Sequence, residues 1–429
     1  MSRQLIDDCF RPGQEFLLHE EAIALLQARM MPVTGTEVLP LAAASGRVIA
    51  AAAVARSPVP AHTNSAVDGY AVTQATLAAA PKGAGTQLPI AGRSAAGHPF
   101  GGLVPPQKAV RIFTGGVLPD GTDTVVMQED TDLPAGPDGG VLIHGIPKAG
   151  ANVRKAGEDV AAGEVLLEAG QVIRPQDLAG LASIGLGEVA CFKRLRVAVV
   201  STGDEVVAPG TRALRPGEVY DANASLLQAL AASAGCDVKH LGILPDRPDA
   251  VRDTLARAAR EFDVILTSGG ASRGEEDHIA ACIAALGTRH FWQVQVKPGR
   301  PMMLGQIGDV AVVGLPGNPV AVFVCFLMYV WPMLRRLGGT LWPEPRRFLM
   351  PADFEFPNRK VGRREFWRGM MRLGPAGDWR VGKFERDGSG LISSLRAADC
   401  LIDIPEDVHA IRSGDPVAVI PFSEFGIVR

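Results

Sequence analysis

The chain is short of several features that would assign it quickly. Its 429 residues contain six cysteines, Cys9, Cys191, Cys236, Cys282, Cys325 and Cys400, with no C-x-x-C among them. Such dispersion speaks against a disulfide framework or a zinc site and for reduced thiols. The eight histidines include no H-E-x-x-H or similar ligand spacing, so a structural transition metal is not expected. Charge of one sign is lacking too: the formal balance is −3, which gives no global attraction to nucleic acid or to a membrane surface. No apolar run is long enough to span a bilayer. The longest, residues 320–331, stops at Pro332 after twelve positions, where about 20 are needed, and it reads as a buried helix. Residues 1–10 carry Asp7 and Asp8 and no apolar centre, unlike a signal peptide.

What remains is an ordinary balance, 47% hydrophobic and 21% charged, in a length that suits about three domains. Residues 20–30 place Ile23, Leu26 and Met30 at helical spacing. A proline-started polar loop follows at 58–70, holding Asn64, Ser65 and Asp68; Asp-Gly there suits a capped turn and a functional loop equally. Residues 71–150 lose helical periodicity and read as a small β-rich domain, with short strands at 87–91, 109–113, 124–128 and 141–144. Within it, R-I-F-T-G-G (111–116) puts a hydroxyl and two glycines after a strand. Next, N-V-R-K-A-G-E-D (152–159) mixes two cations with two acids, by default a solvated charge run.

Residues 195–337 alternate strands and helices: strands at 195–201, 238–244, 264–268, 292–296 and 310–314, helices at 224–234, 250–262 and 277–286 and from Pro319. Val251, Leu255, Ala258 and Phe262 share one helical face. This order implies a doubly wound parallel sheet, which binds ligands at the carboxyl ends of its strands. Four segments fall at those ends: S-T-G-D-E (201–205), S-G-G-A-S-R-G-E-E-D (268–277), K-P-G-R-P (297–301) and L-P-G-N-P (315–319). Small residues let backbone N–H groups approach a phosphate, and a helix N-terminus favours the negative charge. The acids Glu275, Glu276 and Asp277 suit either a bound Mg²⁺ or a helix dipole, and the residues leave both open. In L-P-G-N-P, Asn318 suits an N-cap and Pro319 the first helical position. From about Trp342 the chain is β-like again, with strands at 348–354, 365–373, 379–384 and 416–420. It carries a basic run, Arg359, Lys360, Arg363, Arg364 and Arg368, around Phe366 and Trp367. A solvated face is its common explanation, with an anionic substrate next and nucleic acid last.

Taken in order, N-S-A-V-D-G-Y (64–70), R-I-F-T-G-G, V-V-M-Q-E (125–129), A-G-E-D (156–159) and the four strand-end segments closely resemble the MoeA-type molybdopterin molybdenumtransferases, over nearly the whole chain. The resemblance implies a discontinuous helical N-terminal domain (1–60 and 155–193), an inserted β domain (61–154), a molybdopterin-binding α/β domain (194–338) and a C-terminal β-barrel (339–429). It implies insertion of molybdate into adenylylated molybdopterin, with Mg²⁺-dependent phosphoanhydride cleavage and AMP release. It also implies a cytoplasmic homodimer and transient contact with the preceding adenylyltransferase and with molybdoenzymes; neither nucleic acid nor a membrane is expected. Position by position it assigns catalysis to Asp277, Glu205, Asp246 and Lys297, with Asp277 and Glu205 as metal ligands. Substrate binding falls to Asp68, Thr114, Asp159, Ser268, Gly269, Gly270, Ser272, Arg300, Pro316, Pro319, Arg368 and Ser389. Gln293 stands where relatives often carry Lys or Arg, which removes one expected cation. Two other activities compete. An adenylyltransferase of the same pathway resembles the α/β part alone and lacks the flanking domains; a non-catalytic scaffold keeps the fold but has an interaction tail that is not seen here.

Overall fold

The computed structural model describes residues 17–80, 85–134, 140–269 and 278–428. At its centre lie β1 (Arg196–Thr202), α1 (Ala222–Ser233), β2 (Asp237–Leu244), α2 (Pro248–Glu261), β3 (Val264–Ser268), α3 (His278–Leu286), β4 (Thr288–Gln293), β5 (Pro301–Ile307), β6 (Val310–Leu315) and α4 (Pro319–Cys325). The strands form one sheet in the order β2-β1-β3-β6-β5-β4. Alternate residues of each inner strand feed different cores, as the period of two requires. Val197, Val199, Val264 and Leu266 pack with α1 and α4, whereas Ala198, Val200 and Ile265 pack with α2 and α3. Helices therefore cover both faces, and β3 is buried along its whole length.

The expected parallel sheet needs correction at one side. The pairs β1–β2, β1–β3 and β3–β6 are parallel, but β5–β6 and β4–β5 are antiparallel. Only Gly308 and Asp309 separate β5 from β6, too few residues for a crossover, so the chain must turn back as a hairpin. Gly308 sits at φ 59°, the left-handed region such a turn requires. The strand expected at 292–296 accordingly lies earlier, as β4, and β5 was not anticipated.

The apolar run at 320–331 is buried, as expected, but does not end at Pro332. Helix α4 passes through a π turn, Phe326–Val330, into a second helix, Trp331–Leu337. The proline falls in the first turn of that second helix, directly after the π turn, where the regular hydrogen-bond ladder is already interrupted. The whole segment Pro319–Leu337 is long and apolar enough to cross a membrane, yet 89% of it is buried inside the protein.

Before this domain the chain goes out and comes back. Strands Thr36–Pro40 and Ala53–Val54 pair with Glu188–Phe192 and Val165–Leu167, so the halves of the first domain meet across an insertion. The insertion is β-rich, with a four-stranded sheet containing Gly69–Val72 and a three-stranded one; a short helix, Gln74–Ala78, was not foreseen. The first helix, His19–Arg29, sends Ala22 and Leu26 into the core of the central domain.

The tail forms a sheet around Arg364–Leu373, flanked by Cys400–Ile404 and Trp379–Lys383. The central domain contributes to it: Val296–Lys297 pairs in parallel with Arg364–Glu365. The basic run is therefore only partly a solvated face: Lys360 is exposed and Arg363 half-buried, but the other three arginines are held inside. Arg359 and Arg368 are each 5% exposed, and Arg364 makes a 2.6 Å ion pair with buried Asp403. Burying such cations requires fixed partners, and they have them. A joint between first helix, central domain and tail lies alongside. Buried His19 shares a 2.8 Å hydrogen bond, Nδ1 to the hydroxyl, with Tyr329 of the π turn, and its ring packs edge-on against Phe366. Burial first, and the charge of Arg364 second, push its pKa down to about 3.

Candidate functional site

Two cavities meet at the carboxyl edge of the central sheet. The larger, about 470 Å³, lies over the ends of β1, β3 and β6 and the start of α1. The smaller, about 280 Å³, lies between the K-P-G-R-P loop and the tail strand Arg364–Leu373. Asn318 lines both.

The larger cavity brings together Glu205, Ser268, Gly269 and Pro319 from the sequence-based set. Gly203 turns β1 outward at φ 131°, and a Cβ on it would meet the Glu205 carboxylate at 2.5 Å. Glycine there lets the acid fold back over the turn. Gly269 holds φ 89° after β3, close to Thr202. Asn223 belongs to the same cavity and went unnoticed in the sequence. Its Nδ2 donates to Ser268 Oγ at 2.8 Å and to the Gly317 carbonyl at 2.7 Å, tying the β3 and β6 ends together. The signal was available: in D-A-N-A (221–224), Asp221 caps α1 by accepting the Ala224 N–H at 2.9 Å, which puts Asn223 in the first turn.

Two buried oxygens on this wall, Asp221 Oδ2 and Asn223 Oδ1, have no hydrogen-bond partner. With the exposed Glu205 carboxylate they make an all-oxygen donor set, of the kind a hard divalent cation takes. The residues present thus fit Mg²⁺ chemically. Among the described residues no group of three or more His, Cys, Asp or Glu side chains forms a metal cluster. Gly270, Ser272, Asp277 and the side chain of Gln293 lie outside the described residues.

The smaller cavity collects Lys297, Arg300, Pro316, Arg368 and Ser389. Gly299, at φ 110°, presses the loop against Cys325 of α4, whose Sγ donates to the Gly299 carbonyl at 3.3 Å. Arg368 is fixed from behind, its Nε donating to Ser394 Oγ at 3.1 Å, and burial lowers its pKa from the usual arginine value. Lys297 Nζ stands 3.3 Å from buried Glu365. A cationic pocket with rigid walls suits a compact oxyanion.

Four assigned residues fall in neither cavity. Asp68 and Thr114 do pair with each other: the Thr114 N–H and hydroxyl each donate to Asp68 Oδ1 at 2.8 Å, and that backbone N–H first, then the hydroxyl, hold the Asp68 carboxyl below its usual pKa. Asp159 is exposed in the returning loop, where its N–H donates to the Val59 carbonyl. Asp246 joins the loops after β1 and β2, its Oδ2 accepting the Asp204 N–H at 3.3 Å while Asp204 Oδ1 accepts the Asp246 N–H at 3.1 Å.

Comparison with known proteins gives three family matches in chain order. They are the MoeA N-terminal region (domain I and II) over residues 17–185, the probable molybdopterin binding domain over 198–336 and the MoeA C-terminal region (domain IV) over 352–422. The chain is 37% identical to a molybdopterin molybdenumtransferase of Haemophilus influenzae, over 91% of this chain and 95% of that one. It is 36% identical to one from Nostoc sp., over 90% and 88% respectively. A crystal structure of the molybdopterin biosynthesis moeA protein from Pyrococcus horikoshii OT3 superposes with a TM-score of 0.79 at 28% identity, covering 95% of this chain and all, 100%, of the other.

Proposed function

The chain belongs to the MoeA family of molybdopterin molybdenumtransferases, and on that premise we propose that its two cavities divide one reaction between them. As a member it is a transferase of molybdenum cofactor biosynthesis. In our reading the larger cavity takes the phosphoanhydride of adenylylated molybdopterin and the smaller takes molybdate. The observation that carries this is their contact through Asn318, with acids, hydroxyls and glycine turns on one side and Lys297, Arg300 and Arg368 on the other.

Phosphoanhydride cleavage needs negative charge on the non-bridging oxygens to be balanced where it grows. The glycine turns at Gly269 and Gly317 let the phosphates approach the backbone, and Asn223 holds the ends of β3 and β6 in place behind them. Glu205, with Asp221 and Asn223 nearby and Asp277 from the adjoining segment, would hold Mg²⁺, whose chemistry is to polarise the bridging linkage. Lys297 and Arg368 hold the molybdate dianion beside it, so that release of AMP and arrival of the metal at the dithiolene share one space. The test is AMP release from adenylylated molybdopterin with molybdate and Mg²⁺ each titrated in. Release that needs both supports the reading; release indifferent to molybdate refutes it.

Asp68, Thr114 and Asp159 line neither of these two cavities, which supports a homodimer in which the partner's inserted domain completes the site. Sedimentation at micromolar protein should give twice the 45.2 kDa chain mass. A single-chain mass would remove this part of the proposal. A cytoplasmic location belongs to the same proposal and follows from the chemistry of the pathway rather than from any feature of the fold.

A further inference from the structure

Glu365 is an acid in a cavity whose task, on the reading above, is to bind an anion. Its side chain is 6% exposed, and every partner it has is a donor. Trp367 Nε1 donates to Oε2 at 2.8 Å, and Lys297 Nζ reaches the same oxygen at 3.3 Å. Arg359 Nε stands 3.4 Å from Oε1. Arg359 cannot move to follow a change: its side chain is 1% exposed, and its guanidinium donates to the carbonyls of Pro405 and Val408 at 2.7 Å each and to that of Arg363. Trp367 is fixed as well, packed between Phe354 and Phe356. Glu365 is therefore locked, while its third partner, Lys297, is 52% exposed on the cavity side.

We propose that Glu365 sets the affinity of the oxyanion cavity, holding Lys297 in the empty state and limiting how tightly a dianion is held once Lys297 turns to it. This rests on the proposed function of the cavity. A dianion that enters competes with Glu365 for the Lys297 N–H groups, and it is repelled by a carboxylate that cannot withdraw. Removing the carboxylate charge frees Lys297 and lifts that repulsion, which a dianion feels twice over. At the cavity, what is lost is the ordering of one flexible side chain, the smaller of the two effects on the anion; behind it, Arg359 loses a counter-charge, a cost that falls on stability. An anion that must be handed on gains nothing from being bound too well, because extra ground-state binding raises the barrier to the next step.

The test measures molybdate binding to the purified protein by equilibrium dialysis, alongside molybdate-dependent AMP release. Glu365→Gln keeps the acceptor for Trp367 and is expected to bind molybdate about tenfold more tightly, with KM and kcat falling together. Glu365→Asp keeps the charge and should stay within about threefold of the parent. Unchanged or weaker binding by Glu365→Gln overturns the proposal, as does equal tightening by Glu365→Asp. Gln leaves Arg359 buried without its counter-charge, so folding is checked by melting. Should that variant not fold, Arg359→Gln is compared with Arg359→Gln/Glu365→Gln, which differ only in the carboxylate charge. The double variant must then bind about tenfold more tightly, and equal affinities refute the idea. A parent protein that binds no molybdate defeats the proposed function itself, whereas a parent that binds it while the variants fail the comparison defeats only the role of Glu365.

Discussion

The two cavities share Asn318, yet one rests mainly on the strand ends of the central domain, with Gly390 and Ile392 of the tail also lining it, and the other is shared more evenly between the central loop and the tail strand. The larger stands on the ends of three neighbouring parallel strands, β1, β3 and β6, whose backbone ladder holds its turns. The smaller needs the central loop and the tail strand to stay in register; a buried carboxylate with its cations lines it, and the His19–Tyr329 joint packs on Phe366, next in the chain to Glu365 and Trp367. Backbone geometry secures the first and side-chain electrostatics secure the second. Conditions that disturb charge should therefore reach the oxyanion cavity first.

The largest expected effect sharpens that contrast from the side of the strand ends. Glu205→Gln keeps size and removes charge, and AMP release should fall on the order of a hundredfold, the scale of losing one preorganised electrostatic group. Molybdate binding, measured separately by dialysis, should hardly change. Parallel losses of both would mean the cavities form one electrostatic unit.

Acid provides the next test. Unfolded, His19 would titrate near 6.5, but in the fold it is held neutral with a pKa of about 3. Its contribution is complete above pH 6.5 and is lost progressively as pH falls from there towards 3, costing about 2 kcal/mol by pH 5. Because His19 sits in the joint, molybdate binding should weaken on acidification before nucleotide binding does, and His19→Gln should flatten the difference. Simultaneous loss of both ligands would break the comparison.

A smaller effect is expected at the cavity wall. Arg368→Ala should raise the molybdate requirement about tenfold while adenylylated pterin binds almost as before. Ser394, the residue behind it, still donates to the Leu391 carbonyl at 2.6 Å, so the tail strand should keep its place. Equal losses for both ligands would make the arginine structural.

Sequence reading reached the two cavities unequally, for the same physical reason. Strand-end turns are local: S-T-G-D-E and L-P-G-N-P carry their glycines and prolines where the backbone must bend, so their place on the sheet could be inferred. The hairpin at Gly308-Asp309 was equally local and was missed, because 310–314 reads as a strand on its own and 301–307 does not, with Gly305 and Gln306 interrupting its apolar run. The oxyanion cavity depends on contacts far apart in the chain. Nothing near Arg364 announces that Asp403 will pair with it, so the basic run looked like a solvated face. Glu365, a lone acid inside R-R-E-F-W-R, was the one local sign that the run was not simply repelling itself in water. Asn318 was read as a helix cap. It occupies that position but makes no side-chain cap hydrogen bond, which leaves its amide to the cavities.

The pairing of Val296–Lys297 with Arg364–Glu365 carries one more consequence. Lys297 and Glu365 are partners in the strand register, so the meeting of their charges is decided by counting residues along the backbone. A one-residue insertion ahead of Arg364 that slipped this short ladder would swing Glu365 to the opposite face of the sheet, although no cavity residue had been altered. Length, in the segment between Pro357 and Arg363, is thus as heritable a determinant of anion handling as the identity of any side chain that touches the anion.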